Sequence, residues 1–308
     1  MYNREKLIYL KEGGNLDLRA IEMLKNAKVI KEIKKGFSID QKYQVDNSYL
    51  VRVFPENMWE ERKVEFEAIQ KLSPLAPKVP RALDFGLLQG KGYMVMDYVL
   101  GEDAESGMTH LSKAEQLQAG VSAGAVLRKI HKMDINATEL NWYDLQKEKY
   151  YRKLSKLKKS NIEVVFLQEL ESFIENNLDL MKGREIRLQQ GDFHPANIIL
   201  KNHQFSGIID FNRLEFGDPL FDLAKIGFFT TNSSIAFAKG NILGYIGKED
   251  ITDFWKLYAL YTAMHIVFAL SWASENDTRN LEKLESYAIK TVSSHDNFRK
   301  LTPKWMTN

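Results

Sequence analysis

Three polar side chains within residues 188–224 have types and a spacing that could do chemistry. Asp192 follows Gly191 in a tight turn, Asn197 comes five residues later, and Asp210 stands at the exit of a short predicted hairpin. We expect these side chains to converge at one end of that hairpin. An aspartate can accept the proton of a hydroxyl group, and an amide and a second carboxylate can hold Mg²⁺ on phosphates. The segment therefore predicts phosphoryl transfer.

The motifs around these residues read QGDFHPAN, IIDF and GDPLFDLA. They resemble those of the aminoglycoside phosphotransferase and choline kinase group, which are H-G-D-x-x-x-x-N, I-D-F or I-D-W, and G-D-P-x-x-D-L-A. The resemblance implies an α+β, bilobal, protein-kinase-like fold, with a small antiparallel sheet and a helix in the first lobe and a mainly helical second lobe. It also implies ATP or GTP as the donor and Mg²⁺ as the cofactor. Gln190 departs from the pattern, because the family usually has His at that position.

Other residues of the segment have expected supporting roles. Asp218 and Asp222 are assigned to structure, where they would bond backbone groups of the catalytic loop or cap the following helix. His194 lies within the loop and is expected to hold its shape. A plainer interpretation is that the acidic residues only cap a surface hairpin.

The amino-acid composition limits the number of domains, the kinds of partner and the kinds of metal site that can be expected. The chain has 308 residues, a net charge of +2, 44% apolar residues and no cysteine. These values predict about two domains, no nucleic-acid partner and no disulfide or thiolate metal site. The first residues are charged and show no signal peptide, which predicts a cytoplasmic protein. The apolar run at 257–273 is interrupted by polar residues and predicts a buried helix, so no membrane partner is expected.

The N-terminal part predicts an antiparallel sheet. Apolar periodicity predicts a helix at 16–27, and β-branched or aromatic runs at 29–33, 41–45 and 49–54 are separated by turn residues. In the first turn, Gly36 and Ser38 could let the backbone fold over phosphates, although a plain hairpin turn explains them too.

The predicted third strand carries a cation, and the helix after it carries a carboxylate, as in the kinase template. Arg52 lies on the third predicted strand, at the position of the lysine that contacts the α- and β-phosphates, and Lys42 on the preceding strand is the alternative. Glu65 lies in line with the apolar face of a predicted helix at 57–72 and would pair with the cation, with Glu61 as the second choice. Both cations could instead be solvent-facing strand residues.

The resemblance places a hinge at residues 96–101, after a second predicted hairpin. Adenine would there bond to backbone groups near Asp97 and Val99, with Met96 against the ring. This divides the chain into a nucleotide-binding lobe at 1–98 and a catalytic and acceptor-binding lobe at 99–308. Taken only as sequence, the segment is an edge strand that ends at Gly101.

The acceptor is predicted to be a small molecule, because only six residues separate Asp210 from Gly217, too few for a segment that docks a peptide. We expect an aminoglycoside-type antibiotic, a polycation that needs clustered carboxylates. The candidate carboxylates are Glu215, Asp218, Glu275 and Asp277. The protein would act as a monomer or homodimer.

Two alternatives stay open at this stage. One is a metabolic kinase acting on choline, a fructosamine or homoserine, since aromatic residues of one predicted helix could cage a quaternary ammonium. These residues are Trp255, Tyr258, Tyr261 and Trp272. The other is a nucleotide-binding pseudokinase, suggested by Gln190 and Arg52.

Overall fold

A computed structural model describes residues 16–34, 39–133, 140–160, 162–249, 251–276 and 278–307. Gly36, Ser38 and Asp277, which were predicted to bind nucleotide or acceptor, lie outside the described residues. The chain divides into two compact units, Met1–Leu100 and Gly101–Asn308.

The first unit contains an antiparallel sheet with the strand order β1-β2-β3-β5-β4 in its described part. The strands are β1 (Ile30–Ile33), β2 (Gln41–Val45), β3 (Tyr49–Pro55), β4 (Ala82–Leu88) and β5 (Lys91–Asp97), and one helix, α1 (Trp59–Leu72), follows β3. Two tight turns join neighbouring strands, with positive φ at Asp46 and Asn47 and at Gln89 and Gly90. Such turns match the twist of paired strands, so they set the register that places Arg52 opposite Lys42.

The start of the first unit differs from the prediction of one amphipathic helix at 16–27. The structure has two short 3₁₀ turns, Leu18–Ala20 and Glu22–Leu24, separated by Ile21 in an extended conformation. Leu18, Ile21 and Leu24 pack against the sheet residues of the same core, whereas Met23 is 43% exposed. The predicted helix is therefore wrong, and its apolar spacing identified only part of the buried face.

The second unit is mainly helical. Its strands are β6 (Glu102–Asp103), β7 (Arg187–Gln189), β8 (Ile198–Lys201), β9 (Gln204–Ile208) and β10 (Glu215–Gly217), paired as β6-β8-β9 and β10-β7. Its helices are α2 (Ala104–Gly107), α3 (Lys113–His131), α4 (Trp142–Lys159), α5 (Leu167–Asn177), α6 (Thr231–Ser233), α7 (Ile235–Ile246), α8 (Phe254–Asn276), α9 (Leu281–Ser294) and α10 (Lys304–Thr307). The predicted α+β class is confirmed.

Close packing of α3 against α7 depends on glycine. A Cβ atom added to Gly120 would lie 2.3 Å from the carbonyl oxygen of Phe237, and one added to Gly124 would lie 2.0 Å from that of Asn241. The two backbones can approach this closely only without side chains at these positions. The contact brings His131, at the end of α3, to the hydroxyl of Tyr245 on α7, at 2.8 Å.

Helix α8 is the core helix of the second unit. It is long and apolar enough to cross a membrane by length and composition, but 83% of its apolar window is buried inside the protein. A core helix passes the same test, so the feature is explained by packing, as the interrupted apolar run predicted.

Candidate active site

The catalytic loop runs from the end of β7 to the 3₁₀ turn Pro195–Asn197. Gly191 has φ +77°, and a Cβ atom there would lie 1.9 Å from the carbonyl oxygen of Arg213. Only glycine fits this position, and the turn directs Asp192 toward Asn197. The Nδ2 atom of Asn197 donates to the backbone oxygen of Asp192 at 3.0 Å and to its Oδ2 at 3.2 Å.

Gln190 links this loop to Asp210. Its Nε2 donates to the carbonyl oxygens of Ile209 and Asp210, at 3.2 and 2.9 Å, while its Oε1 accepts from the backbone N–H of Asp192 at 2.7 Å. The backbone N–H of Ile209 also donates to the carbonyl oxygen of Asn197 at 2.9 Å. Asp192, Asn197 and Asp210 therefore belong to one hydrogen-bonded network, and the amide of Gln190 satisfies three backbone groups at once.

Asp210 holds a strained backbone. Its φ is +61°, a conformation that residues other than glycine adopt rarely and that aspartate tolerates better than most. Strain of this kind persists where the surroundings over-determine the conformation, as the two bonds from Gln190 to this turn do. The turn ends β9 and sets where the carboxylate of Asp210 stands.

Two buried aspartates have the structural roles that the sequence analysis assigned to them. Asp222 accepts from the backbone N–H groups of Gln190 and Gly191, at 2.7 and 2.9 Å, and lies 3.1 Å from the Nε2 of His131. Asp218 caps the following 3₁₀ turn by accepting from the N–H of Leu220 at 3.0 Å. Asp222 therefore holds the catalytic loop in place through its backbone.

Lys225 is a functional residue that the sequence analysis missed. Its Nζ donates to Asp192 Oδ1 and to the carbonyl oxygen of Gly191, both at 2.6 Å. The side chains of Lys225 and Asp192 are only 13% and 18% exposed. The signal was available, since Lys225 comes directly after GDPLFDLA and a half-buried carboxylate needs a cation.

The surroundings keep Asp192 ionised. Burial alone would raise the pKa of this carboxyl, but the charge of Lys225, the contact with His194 and the charge of Arg213 outweigh it and hold the pKa well below its ordinary value. The Nε2 of His194 lies 3.5 Å from Asp192 Oδ2 and 3.3 Å from the Nδ2 of Asn197, so this ring is part of the loop's framework. Asp192 is thus a carboxylate that accepts hydrogen bonds at neutral pH.

The donor set fits Mg²⁺. The hydrogen bonds of the Asn197 side chain within the described residues engage Nδ2, which leaves Oδ1 for a cation, and Asp210 supplies a carboxylate. No group of three or more His, Cys, Asp or Glu side chains in the described part of the chain could hold a metal alone. Mg²⁺ commonly takes one or two protein oxygens and completes its shell with phosphates and water.

In the first unit, Arg52 and Glu65 form the predicted ion pair. The pair belongs to a larger buried cluster, because Arg52 Nε also donates to Asp40 at 2.9 Å, and Arg62 of α1 donates to Asp40 through Nε and Nη2, both at 3.0 Å. Asp40 and Arg62 were missed, although Arg62 lies three residues before Glu65, on the same helix face. Glu61, the second choice, bonds to Arg62 at 3.1 Å and is mostly exposed.

The positive and negative charges of this buried cluster are equal in number, two arginines and two carboxylates. Burial raises the pKa of Asp40, but the charges of Arg52 and Arg62 and their hydrogen bonds reverse the effect and lower it. Arg52 is 3% exposed, so its contacts with Asp40 and Glu65 define its position. Contact of Arg52 or Lys42 with phosphates stays a prediction.

The predicted hinge residues lie at the end of β5. Met96 is buried, and the carboxylate of Asp97 accepts from Arg81 Nε at 2.7 Å. The N–H groups of Asp97 and Tyr98 donate to other backbone oxygens, so adenine would have to bond to other backbone groups here. The adenine contacts of Asp97, Met96 and Val99 stay predictions.

Comparison with known protein families identifies the family of this chain. Residues 29–258 match the model of the phosphotransferase enzyme family. The chain belongs to this family. The protein is a kinase-type phosphotransferase, and the predicted resemblance is confirmed.

Solved structures share the fold of this phosphotransferase. A choline/ethanolamine kinase family protein from Mesorhizobium loti has 15% identity and a TM-score of 0.68, covering 94% of this chain and 97% of its own. A thermostable mutant of aminoglycoside phosphotransferase APH(4)-Ia has 15% identity and a TM-score of 0.66, covering 90% and 98%. A streptomycin–ATP complex of APH(2")-IIa has 20% identity and a TM-score of 0.61, covering 91% and 96%. A comparison with curated proteins finds no match.

Two of the carboxylates predicted to bind a cationic acceptor have partners within the described part of the phosphotransferase, and their contact with an acceptor stays a prediction. Glu275 forms ion pairs with Lys153 and Lys156. Asp218 is buried and also accepts from Arg184 and from the hydroxyl of Tyr261. Glu215 is exposed on β10, and of these three carboxylates it alone forms no ion pair among the described residues.

The four aromatic residues that were considered for a choline cage do not form one. Tyr258 and Tyr261 are fully buried, and Trp272 is 42% exposed on the same helix. Trp255 and Trp272 are separated by about 25 Å along α8, from the helical rise per residue. Core packing accounts for the two tyrosines.

Proposed function

We propose that this phosphotransferase moves the γ-phosphate of ATP to a hydroxyl group of a small molecule, with Mg²⁺ as the cofactor. The observation that carries the proposal is the network in which Gln190 and Asn197 join Asp192 to the turn that holds Asp210. A carboxylate, an amide oxygen and a second carboxylate are thereby fixed at one end of one hairpin.

Asp192 is the residue that would meet the acceptor. Each of its carboxylate oxygens accepts a hydrogen bond, Oδ1 from Lys225 and Oδ2 from Asn197. The ionised carboxylate accepts a hydrogen bond from the acceptor hydroxyl, which aligns that oxygen for attack. The bond between the γ-phosphorus and the bridging oxygen breaks as the new phosphorus–oxygen bond forms, and the hydroxyl proton passes late to Asp192.

Asn197 Oδ1 and the carboxylate of Asp210 would hold Mg²⁺, which neutralises charge on the phosphates when bound. The strained turn at Asp210 and the hydrogen bonds from Gln190 preorganise this ligand. Lys225 keeps Asp192 ionised and holds the loop through the carbonyl oxygen of Gly191. Alignment and charge neutralisation are the main contributions a protein makes to a loose transition state.

For the acceptor, the sequence analysis favoured an aminoglycoside. The structure of APH(2")-IIa with gentamicin, at 19% identity and a TM-score of 0.61, supports a small-molecule acceptor by analogy of fold. The second candidate is a metabolic kinase whose acceptor is not a polycation. Pairing of Glu275 with Lys153 and Lys156 favours the second candidate, because that carboxylate is already neutralised.

Release of ADP tests the proposal. We expect Mg-ATP turnover that depends on an acceptor and falls by roughly 10²–10⁴-fold in Asp192→Ala, the range for loss of a general base. The acceptor panel includes gentamicin, streptomycin, choline, fructosamines, homoserine and sugar acids. If no acceptor raises turnover above that of Asp192→Ala while nucleotide still binds, the protein is a nucleotide-binding pseudokinase for these compounds.

A further inference from the structure

The ammonium group of Lys225 has an N–H donor that the roles described above do not use. An ammonium carries three donors. Two of them bond to Asp192 Oδ1 and to the carbonyl oxygen of Gly191, both at 2.6 Å. No third acceptor bonds this ammonium among the residues that the structure describes. The side chain of Lys225 is 13% exposed, so the group that bears the remaining donor is neither sealed in the core nor free in solvent.

The reacting atoms lie within two contacts of the carboxylate that Lys225 binds. Under the proposed function the acceptor hydroxyl bonds to Asp192 at about 2.7 Å, and its oxygen attacks phosphorus from about 3–3.5 Å. The γ-phosphorus is then within about 6 Å of a carboxylate oxygen of Asp192, the sum of these two distances. Lys225 Nζ lies 2.6 Å from Oδ1 of the same carboxylate. Because the lysine stem is long and flexible, its ammonium can reach a phosphoryl oxygen there.

Lys225 is the closer and less hydrated of the two basic side chains at Oδ1 of Asp192. Arg213 lies 3.8 Å from this oxygen, but its side chain is 61% exposed, and exposed ion pairs contribute little. The other carboxylate oxygen, Oδ2, accepts from Asn197 at 3.2 Å. A carboxylate offers about four acceptor sites, so the acceptor hydroxyl can share either oxygen. On Oδ1 its nearest charged neighbour is the ammonium of Lys225.

The anion that neutralises Lys225 changes during the proposed reaction. In the protein as it stands, Asp192 supplies the negative charge. As the new phosphorus–oxygen bond forms and the bond to ADP breaks, the proton of the hydroxyl passes to Asp192, which becomes neutral. A mostly buried ammonium without an anion is unfavourable. The phosphorylated acceptor carries about two negative charges and can replace the carboxylate as partner, so this contact strengthens as the reaction proceeds.

We propose that Lys225 donates its third N–H to an oxygen of the γ-phosphoryl group as that group passes from ATP to the acceptor. This inference rests on the proposed phosphotransfer at Asp192. It makes Lys225 a catalytic residue, which contacts the transferred group directly in addition to its contact with Asp192.

Aluminium fluoride bound together with Mg-ADP tests the contact, because this anion occupies the place of the transferred phosphoryl group. Calorimetry gives the affinity for Mg-ADP with and without aluminium fluoride, and no turnover is needed. We expect aluminium fluoride to tighten the binding of Mg-ADP to the native protein. In Lys225→Met this gain should shrink about 10–100-fold, the scale of one charge-assisted hydrogen bond, while the affinity for Mg-ADP alone stays unchanged. Lys225→Arg keeps a charge and donors and should retain most of the gain.

The Asp192→Asn background separates direct contact from an effect exerted through Asp192. This variant keeps the shape of the side chain and removes its charge. If Lys225 contacts the phosphoryl group, adding Lys225→Met should again weaken aluminium fluoride binding about tenfold or more. If Lys225 acts only through Asp192, the second substitution should have no effect. The double variant leaves no carboxylate without its cation, so it keeps the test valid if Lys225→Met alone does not fold.

Lys256→Met is the matched control. Lys256 pairs with Asp253 at 2.8 Å, as Lys225 pairs with Asp192, but its side chain is 53% exposed. Its replacement should leave the affinity for Mg-ADP and the gain from aluminium fluoride unchanged.

The inference and the proposed function fail in different ways. A gain that is absent from the native protein, equal in Lys225→Met, or independent of Lys225 in the Asp192→Asn background overturns the contact with the phosphoryl group. Acceptor-dependent ADP release that requires Asp192 would still uphold the proposed function in those cases. A gain that depends on Lys225 in both backgrounds supports the contact even if no acceptor raises ADP release, in which case the proposed function alone fails.

Discussion

The ammonium of Lys225 lies 2.6 Å from Asp192 Oδ1 and donates equally closely to the carbonyl oxygen of Gly191. One cation therefore favours the ionised form of Asp192 and holds the loop that carries it. Under the proposed function Lys225 is a positioning residue, because it would act on the reaction through Asp192, apart from the inferred contact with the phosphoryl group.

Replacement of Lys225 should change the pH dependence of the reaction. The pKa of Asp192 is depressed, and its proposed role needs the ionised form, so we expect activity above that pKa and its loss as pH falls through it. Lys225→Met removes the opposing charge, and the acid limb of kcat should move to higher pH. At neutral pH kcat should fall about 10–100-fold, the scale of one charge-assisted hydrogen bond.

The measurement is kcat between about pH 3 and 8, a range that spans the ordinary pKa of an aspartate. Lys256→Met, which removes an exposed lysine paired with Asp253, serves as the control and should leave the profile unchanged. An acid limb that does not move in Lys225→Met would show that Lys225 does not control the ionisation of Asp192.

Substitutions of Gln190 should show how far stability and turnover depend on the three hydrogen bonds of its side-chain amide. Gln190→Ala removes bonds to the carbonyl oxygens of Ile209 and Asp210 and to the N–H of Asp192. We expect the free energy of unfolding to fall by about 1–3 kcal/mol, the cost of buried polar groups left without partners. Mg-ATP turnover should fall as well, because both metal and acceptor residues lose alignment.

Gln190→His restores the residue usual in the family and can still donate and accept once each. Turnover and thermal melting should then lie between those of Gln190→Ala and the native protein. Equal turnover in Gln190→Ala and the native protein would contradict a role for this amide in joining the two loops.

The buried cluster of the first unit should dominate the stability of that unit. Asp40→Ala leaves Arg52 and Arg62 buried with Glu65 as their remaining partner in the cluster, and should lower the free energy of unfolding by about 3–5 kcal/mol. Glu61→Ala removes an exposed partner of the same Arg62 and should cost less than about 1 kcal/mol. Urea denaturation of both variants gives the comparison.

The same cluster predicts that the stability of the folded protein decreases at acidic pH. The pKa of Asp40 is depressed in the folded protein, so its contribution is present above the unfolded pKa and is lost as pH falls from that value through the folded one. Below about pH 4, the ordinary aspartate value, stability of the native protein should decline more steeply than that of Asp40→Ala. Parallel declines would contradict this assignment.

Alanine substitutions at two glycines with the same φ angle should distinguish the cost of backbone strain from the cost of a steric clash. Gly191 and Gly90 both have φ +77°, but a Cβ atom at Gly90 meets nothing within 4 Å, whereas one at Gly191 meets the carbonyl oxygen of Arg213 at 1.9 Å. Gly90→Ala should cost about 1–2 kcal/mol, from the conformation alone. Gly191→Ala should cost more and should also abolish turnover, because the loop must shift.

Thermal melting and ADP release measured on both variants check this prediction. Near-native turnover in Gly191→Ala would show that the loop adapts without moving Asp192. A loss of activity in Gly90→Ala equal to that in Gly191→Ala would contradict the steric explanation.

The sequence by itself predicted the class of reaction, a phosphotransfer, and the residues proposed to carry it. Asp192, Asn197 and Asp210 lie within 19 residues, on a loop and hairpin whose strand and turn residues are local signals, so their convergence follows from short-range structure. The family resemblance then implied the roles of these residues and the α+β class. Arg52 and Glu65 were paired correctly because a carboxylate on an apolar helix face needs a cation.

Tertiary structure decided the partners of these residues. Lys225 reaches Asp192 across 33 residues, and Arg62 reaches Asp40 across 22, through side-chain packing that no local pattern specifies. Lys149 appeared as one lysine of a basic helix, yet the fold places it over two phenyl rings, while Glu275 is paired with lysines of that same helix. Charges act through space, so the electrostatic character of the site depends on which distant residues the fold brings together.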